Sequence, residues 1–306
     1  MAYPVDPSAV SIGSDSASAF VPQIWAGKLI EKLYKATVFA EIANTDYEGE
    51  IKRHGDKVII RTVPTLTIHD YVKGKGLTYE DPVSAHVELD IDQGKYFAFR
   101  VFKVDEMQSD LALMDQWAED GAEQMRIAID GDILGSVYAD AAAANAGATA
   151  GVISGNINLG TSAAPVSVTK ETVLDLLVDY GTILDEQNVP ETGRYVVLPA
   201  WMCGMIKKSD LKDASLAGDG TSILRNGRLG MIDRFTLYCS NNLSVDTGKT
   251  NVIFGHKKAL TFAAQITDME NIPNPTDFGR YVRSLNVYGF KVIDPNALGH
   301  SVVVKG

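Results

Sequence analysis

The string TGKT at residues 247–250 is the strongest chemical motif in the sequence, because it ends like a phosphate-binding loop. In such a loop, backbone N–H groups and a lysine hold the phosphates of a nucleotide. The full pattern also requires a glycine five residues before Gly248, and this chain has Leu243 there. No strand pattern leads into the string and no helix pattern follows it. We therefore predict a hairpin turn instead of a nucleotide site.

Residues that often bind metals are scattered along the chain. No pair of histidines has ligand spacing, and neither Cys203 nor Cys239 belongs to a CxxC motif. Two cysteines fit a reducing compartment, although one disulfide between them stays possible. Asp130 and Asp132 resemble a catalytic carboxylate pair, but residues two apart on a helix do not face each other. We predict a solvated acidic face there, no metal, no cofactor and no enzyme; an enzyme of unknown class is kept as an alternative.

The element that would carry these two acids is one long amphipathic helix over residues 105–144. Apolar and small side chains recur at alternating steps of three and four: Met107, Leu111, Met114, Ala118, Ala122, Met125, Ile129, Ile133 and Val137. Ten acidic residues and one arginine occupy the other faces. At 1.5 Å per residue, such a helix is about 60 Å long. The alternative is two shorter helices broken at Gly121 or Gly131.

Before this helix, the pattern is extended. Two strand-like arms, within residues 57–68 and 86–104, flank the turn cluster Lys73-Gly74-Lys75-Gly76. Two arms of roughly 15 residues each would form a hairpin about 50 Å long. A two-stranded ribbon of that length is barely stable alone in water, so we expect it to lie along another subunit.

The rest of the chain indicates an α+β fold. A helix from Thr169 to about Asn188, a buried strand at 195–199 and a short helix at 201–207 are followed by a glycine-rich loop at 209–230. Further strands are expected at the ranges that follow, namely 235–239, 252–254, 259–266, 281–293 and 301–304. The segment 267–278, which holds Pro273 and Pro275, is expected to be a loop. Residues 1–20 lack periodicity and indicate a flexible arm, and Pro22 opens a short helix.

Composition excludes several classes of function. The 306 residues are 45% hydrophobic and 22% charged, as in an ordinary globular protein, and the net charge is −11. A chain this acidic lacks the clustered Lys and Arg that phosphate binding requires, so it should not coat DNA. It has no run of about 18 apolar residues, so we predict no ordinary membrane span.

Four strings, taken in chain order, carry a resemblance to a known family. They are FVPQIW at 20–25, VPETGRYVVLP at 189–199, NGRLGMIDRF at 226–235 and VYGFKV at 287–292. Together with the order of elements, they resemble the major capsid protein of tailed bacteriophages, which has the Hong Kong ninety-seven capsid fold. Arg234 stands where relatives often have glycine.

The resemblance implies an α+β phage capsid fold with a definite division of the chain. Residues 1–28 would be the N-terminal arm, and 57–104 an extended hairpin, the E-loop, lying on a neighbouring subunit. The peripheral domain, with the long spine helix, would comprise 29–56, 105–150 and 258–291. The axial domain would comprise 151–257 and 292–306.

It also implies function and partners. Copies of the chain would form hexamers and pentamers of an icosahedral shell around double-stranded DNA, made in the host bacterial cytoplasm. Scaffolding, portal and decoration proteins would be further partners, with no membrane. An encapsulin-type cellular shell of the same fold is the other candidate.

This interpretation assigns roles to particular residues. Lys73, Gly74, Lys75 and Gly76 would form an intersubunit contact, as would the 267–278 loop with Pro273 and Pro275, near the three-fold contacts. Each spine glycine costs about 0.5–1 kcal/mol relative to alanine. Gly131 and Gly135, four apart on one face, would admit another backbone, and Gly121 would be a hinge if the spine bends in an immature shell, as in relatives of this fold.

Overall fold

The computed structural model describes residues 37–45, 57–61, 64, 66–82, 86–103, 113–209 and 230–306. Within them, helices α1 to α4 lie at Phe39–Ile42, Leu113–Ser136, Val173–Glu186 and Ala200–Lys208. Strands β1 to β12 lie at Lys57–Arg61, His86–Asp90, Gln93–Phe102, Val166–Val168, Arg194–Leu198, Met231–Ile232, Phe235–Cys239, Val245–Asp246, Lys249–His256, Leu260–Pro273, Gly279–Val292 and Leu298–Lys305. The expected N-terminal arm, the helix after Pro22 and nearly all of the 209–230 loop lie outside the described residues.

A mixed seven-stranded sheet holds the main core. Its strand order is β4-β12-β9-β5-β7-β6, and β8 pairs with β9. All five residues of β5 are buried, which confirms the strand predicted from the apolar run at 195–199. Helix α3 packs on this sheet through Leu177, Tyr180 and Leu184, whose spacing places them on one helix face. The ring of Tyr180 stacks on Phe254 of β9 with the ring centres 4.2 Å apart. These elements confirm an α+β fold.

A second sheet is antiparallel, in the order β10-β11-β3. Strands β10 and β11 were both expected, but the loop expected at 267–278 is wrong for its first half. Strand β10 continues to Pro273, which pairs with Arg280, and only residues 274–278 connect it to β11. Because β10 is an edge strand, proline at its end removes no ladder hydrogen bond that the sheet requires. Pro275 lies in the short connection.

The expected hairpin is paired only at its base. Strands β1 and β2 form an antiparallel ribbon of five residue pairs, from Lys57↔Asp90 to Arg61↔His86. The two long arms predicted for it are therefore too long, because β3 leaves the ribbon and pairs with β11 instead. A Cβ at Gly289 of β11 would overlap the carbonyl oxygen of Asp90, so glycine lets the ribbon lie against the second sheet. The ribbon's base thus rests on its own chain.

Helix α2 is shorter at its C-terminus than predicted. Its 24 described residues span about 36 Å at 1.5 Å per residue, and the helix continues through both Gly121 and Gly131. It ends at Ser136, not at Ala144; residues 104–112 lie outside the described part. A 3-10 turn at Val137–Asp140 follows, and then Ala142 N–H donates to the carbonyl of Pro295. The alanines favour helix locally, but this packing against the end of the chain overrides that preference.

The three glycines of α2 differ in their surroundings. A Cβ at Gly121 would lie 3.0 Å from the ring of Phe97 on β3, whereas no described atom lies within 4 Å of a Cβ at Gly131 or Gly135. Within one copy of the described chain, no other backbone uses the space at Gly131 and Gly135. Gly121 instead has a packing reason, because it lets the helix approach β3.

Alanine substitution should separate these cases. Gly131→Ala should raise the free energy of unfolding by about 0.5–1 kcal/mol, because alanine loses less backbone entropy in a helix. Gly121→Ala should gain less or lose stability, since Phe97 must move. Urea unfolding of the unassembled protein measures both. Equal stabilisation by the two substitutions would show that Phe97 does not restrict residue 121.

Acid should destabilise the seven-stranded sheet through His300. Its ring lies between Asn251, whose Oδ1 is 2.9 Å from Nε2, and the ring of Tyr138. Burial lowers the pKa of His300 from 6.5 to about 4. The unfolded chain then binds the proton more readily, so stability is complete above pH 6.5 and falls as the pH drops towards 4. The loss is roughly 3 kcal/mol at 1.4 kcal/mol for each pKa unit.

Urea unfolding between pH 4 and 7 tests this with two variants. His300→Gln should flatten the fall in stability over that window, whereas His86→Gln, at an exposed site on β2, should leave the slope of the wild type. A slope unchanged by His300→Gln would contradict the assignment.

Candidate functional site

The phosphate-loop candidate is a hairpin turn, as predicted. Residues 247 and 248 connect β8 to β9, and Val245 pairs with Thr250. Thr247 and Gly248 have φ values of 51° and 81°, the left-handed pair that a two-residue hairpin loop requires. The Nζ of Lys249 donates to the carbonyl of Ser162, so the lysine ties this hairpin to a neighbouring loop.

Neither histidines nor cysteines assemble a reactive centre in the part of the chain that the structure describes. No group of three or more His, Cys, Asp or Glu there is placed to hold a metal ion. Cys203 and Cys239 are both free thiols, the first buried and the second exposed. Burial raises the pKa of the Cys203 thiol, which keeps it protonated and unreactive.

The acids of α2 do not form a catalytic pair, and one of them is not on a solvated face. Asp130 is fully buried, which corrects the expectation for that residue. Its Oδ1 accepts from the backbone N–H groups of Val38 and Phe39, each at 2.9 Å, and its Oδ2 accepts from Asn242 Nδ2 at 2.7 Å. Asp130 thereby caps the start of α1 and holds the segment after β7.

Asp132 points elsewhere, as the helical spacing requires. Its Oδ2 accepts from the Tyr288 hydroxyl at 2.8 Å and lies 2.6 Å from Lys95 Nζ. Tyr288 belongs to β11 and Lys95 to β3, so this acid joins the helix to the second sheet. The two acids therefore fasten α2 on opposite sides. The sequence pattern indicated their helix but gave no sign of these partners.

A second connection that the sequence did not reveal involves Arg234. Its φ of +67° is the left-handed conformation that favours glycine. Its Nη2 donates to Asp185 at 2.8 Å and its Nη1 lies 2.8 Å from Glu191. Asp185 also lies 2.7 Å from Nη2 of the buried Arg194. Arginine at this turn therefore makes ion pairs that glycine would lack.

The main exposed feature is the loop of residues 66–82. Every one of its residues is exposed, and none lies in a strand or helix. Its large apolar side chains are Leu66, Ile68, Tyr71, Val72, Leu77 and Tyr79. A contiguous segment with so much exposed apolar surface is typical of a protein–protein contact.

The predicted tip of this loop is a turn. Lys75 N–H donates to the carbonyl of Val72 at 3.2 Å, and Gly74 and Gly76 have φ values of +88° and +76°. A Cβ at either glycine would meet no atom within 4 Å, so glycine is needed there for conformation and not for space. Lys73 and Lys75 are exposed on this turn.

The second sheet carries two concave surfaces. A groove of about 520 Å³ crosses its three strands and is mainly apolar; its lining residues are Ala98, Phe99, Arg100, Ile272, Tyr281, Val282 and Arg283. A cleft of about 480 Å³ lies at the β10–β11 connection, between Lys103, Pro273 and Arg280. The exposed Phe278 stands beside it. Pro273 and Pro275 thus lie at one end of this sheet, 197 or more positions from the lysine turn in sequence.

Comparisons with known proteins agree with the fold. The family model described as "Phage capsid protein" matches residues 87–301. A structure from Mycobacterium phage Che8 is 27% identical, with a TM-score of 0.74, and the alignment covers 93% of this chain and 97% of that one. The capsid structure of Cyanophage P-SCSP1u is 15% identical, with a TM-score of 0.71, covering 99% and 100%.

The bacteriophage PhiM1 mature capsid gives 14% identity, a TM-score of 0.68 and coverage of 98% and 99%. No curated protein sequence matches the chain. Among the described residues, none of the helices is long and apolar enough to cross a membrane.

Proposed function

The chain belongs to the phage capsid protein family and is a structural protein of a phage shell, and from this premise we propose how it assembles. Copies of the chain form hexamers and pentamers that close an icosahedral shell around double-stranded DNA. The observation that carries the proposal is the loop at residues 66–82, which is exposed throughout and displays six large apolar side chains. No described part of the same chain covers it, so we infer that a neighbouring copy does. The family match does not favour a cellular cargo shell.

The proposed division of the chain into domains follows the two sheets. The seven-stranded sheet with α3 and α4 belongs to the axial domain, 151–257 with 292–306. Strands β10 and β11 of the three-stranded sheet and α2 belong to the peripheral domain, 29–56, 105–150 and 258–291, whereas β3 of the same sheet falls in the E-loop range. Residues 57–104 are the E-loop and 1–28 the arm. Support comes from the strand pairing, because no strand of the three-stranded sheet pairs with a strand of the seven-stranded sheet among the described residues.

We place the E-loop of one copy on the peripheral domain of the next. The apolar groove of about 520 Å³ on the three-stranded sheet is large enough to receive side chains such as Tyr71 and Tyr79. The tip lysines, Lys73 and Lys75, would meet acids of a neighbouring spine. Each exposed ion pair contributes about 0.2–1 kcal/mol, but a shell repeats it many times. The β10–β11 connection, with Pro273 and Pro275, would form a separate contact near the three-fold axes.

Other partners follow from charge and from the closed geometry of a shell. With a net charge of −11, the chain should not hold DNA tightly or by sequence, so a separate motor would package it. A portal would fill one vertex, and scaffolding and decoration proteins would assist closure and stabilise the surface. Assembly would take place in the host cytoplasm, and the chain would act without enzymatic activity.

The spine glycines have a proposed role in shell expansion. Gly121 lies where α2 crosses β3, against Phe97, so a bend there would move the helix across that strand. Gly131 and Gly135 leave open surface that a neighbouring copy can approach. Equal curvature of α2 in immature and expanded shells would contradict the hinge.

A charge-reversal experiment tests the proposed assembly. The wild-type chain, with its scaffold if needed, should form rings and closed shells visible by light scattering and electron microscopy. Lys73→Glu combined with Lys75→Glu should strongly reduce the formation of rings and shells, because the tip would then repel the acidic spine helix. The circular dichroism of the variant should match the wild type, since the tip contacts no core.

The matched control is Lys257→Glu combined with Lys258→Glu, which changes the same charge after β9, at positions remote in sequence from the loop. Normal shells from the tip variant would contradict the lysine contact but would leave the assembly proposal standing. A wild-type chain that stays monomeric over a broad range of concentration and salt, even with scaffold, would overturn the assembly proposal.

A further inference from the structure

The two arms of the loop at 66–82 are joined by one carboxylate. Beyond the last ribbon pair, Arg61↔His86, the described part of the loop has no strand pairing. Glu80, on the returning arm, accepts through Oε2 from the backbone N–H of Thr67 at 3.1 Å. Its Oε1 lies 3.4 Å from Nε2 of His69. Both partners belong to the outgoing arm, thirteen and eleven residues earlier.

This connection determines which side chains face outward. In extended chain, successive side chains point to opposite sides. With His69 turned towards Glu80, Ile68 turns away, and it is the most exposed large apolar residue described, at 91%. On the other arm, Tyr79 next to Glu80 is 86% exposed. The carboxylate therefore lies between the arms, and Ile68 and Tyr79 lie on the outside of the loop.

The hydrogen bond to Thr67 affects the pKa of Glu80. It is the main reason why the pKa of Glu80 lies below its ordinary value, and contact with His69 acts in the same direction. The carboxylate is therefore ionised at neutral pH, when it is the strongest acceptor for an N–H group.

We propose that Glu80 is a positioning residue for assembly, which holds the two arms together so that a second copy of this chain meets a preformed apolar surface. The inference rests on the proposed function, because it assumes that the loop is the part that binds the neighbour. A loop of 17 residues without strand pairing loses conformational entropy when it binds, and holding it in its bound shape beforehand lowers that cost. Glu80 touches no residue of the core, so its effect should be confined to binding.

Three single variants test the proposal. Glu80→Ala removes the acceptor, Glu80→Gln keeps an oxygen that can accept from Thr67 N–H, and Asp70→Ala removes the same charge from the same loop. Each is compared with the wild type for amide hydrogen exchange of residues 66–72 before assembly, for the threshold concentration of assembly by light scattering, and for urea unfolding.

Glu80→Ala should exchange faster at Thr67 and raise the threshold about three- to tenfold, a range equivalent to losing one ordinary hydrogen bond. Glu80→Gln should restore most of the wild-type behaviour, and Asp70→Ala should match the wild type. All four proteins should unfold at the same urea concentration, which excludes a general loss of stability.

The outcomes separate the two proposals. If the wild type assembles and Glu80→Ala has the same threshold, or if Asp70→Ala raises it equally, the positioning role of Glu80 is overturned while the proposed function stands. If the wild type does not assemble at all, both are overturned.

Discussion

The buried carboxylate of Asp130 is the interaction on which the arrangement of this chain depends. A buried charge is costly unless hydrogen bonds satisfy it, and Asp130 receives them from the N–H groups of Val38 and Phe39 and from Asn242. These donors come from α1 and from the segment between β7 and β8, while Asp130 itself lies on α2. One side chain therefore fixes three parts of the fold. Two residues on, Asp132 binds Tyr288 and Lys95 of the second sheet.

This junction leaves the assembly surfaces free. The C-terminal half of α2 is packed in the main core through Ile129, Ile133 and Leu134, so the axis of the helix is set there. Its N-terminal half lies on the second sheet, where Trp117 packs edge-on against Phe99. The loop at 66–82, which lies between β1 and β2 of the ribbon, leaves its apolar groups exposed. An exposed apolar loop beside a packed core is suited to repeated contacts, each weak, that add up over a closed shell.

Hydrophobic periodicity predicted the elements whose packing depends on residues close in sequence. The buried strand β5, helix α3 and the hairpin at 247–250 were found from residue spacing, because their patterns depend on neighbours in sequence. The extension of β10 to Pro273 was missed because the two prolines indicate a loop, whereas pairing with β11 decides the length of the strand. The end of α2 at Ser136 was missed because a contact with Pro295, remote in sequence, follows it. The burial of Asp130 was missed for the same reason: nothing in a helical pattern shows that an acid meets the N–H groups of another helix. The four strings that resemble the capsid family predicted the fold and the function in more detail than these patterns did.

The most direct test of the junction is the free energy of unfolding of Asp130→Asn, measured in urea on the unassembled protein. Asparagine keeps one acceptor oxygen but loses the charge and places an amide group near a donor, so a loss of about 2–4 kcal/mol is expected. The control Asp132→Asn changes the same groups at a half-exposed site and should lose about 1 kcal/mol or less. Asp130→Asn within 0.5 kcal/mol of the wild type, a change of about the size common at surface sites, would contradict the central place given to this carboxylate.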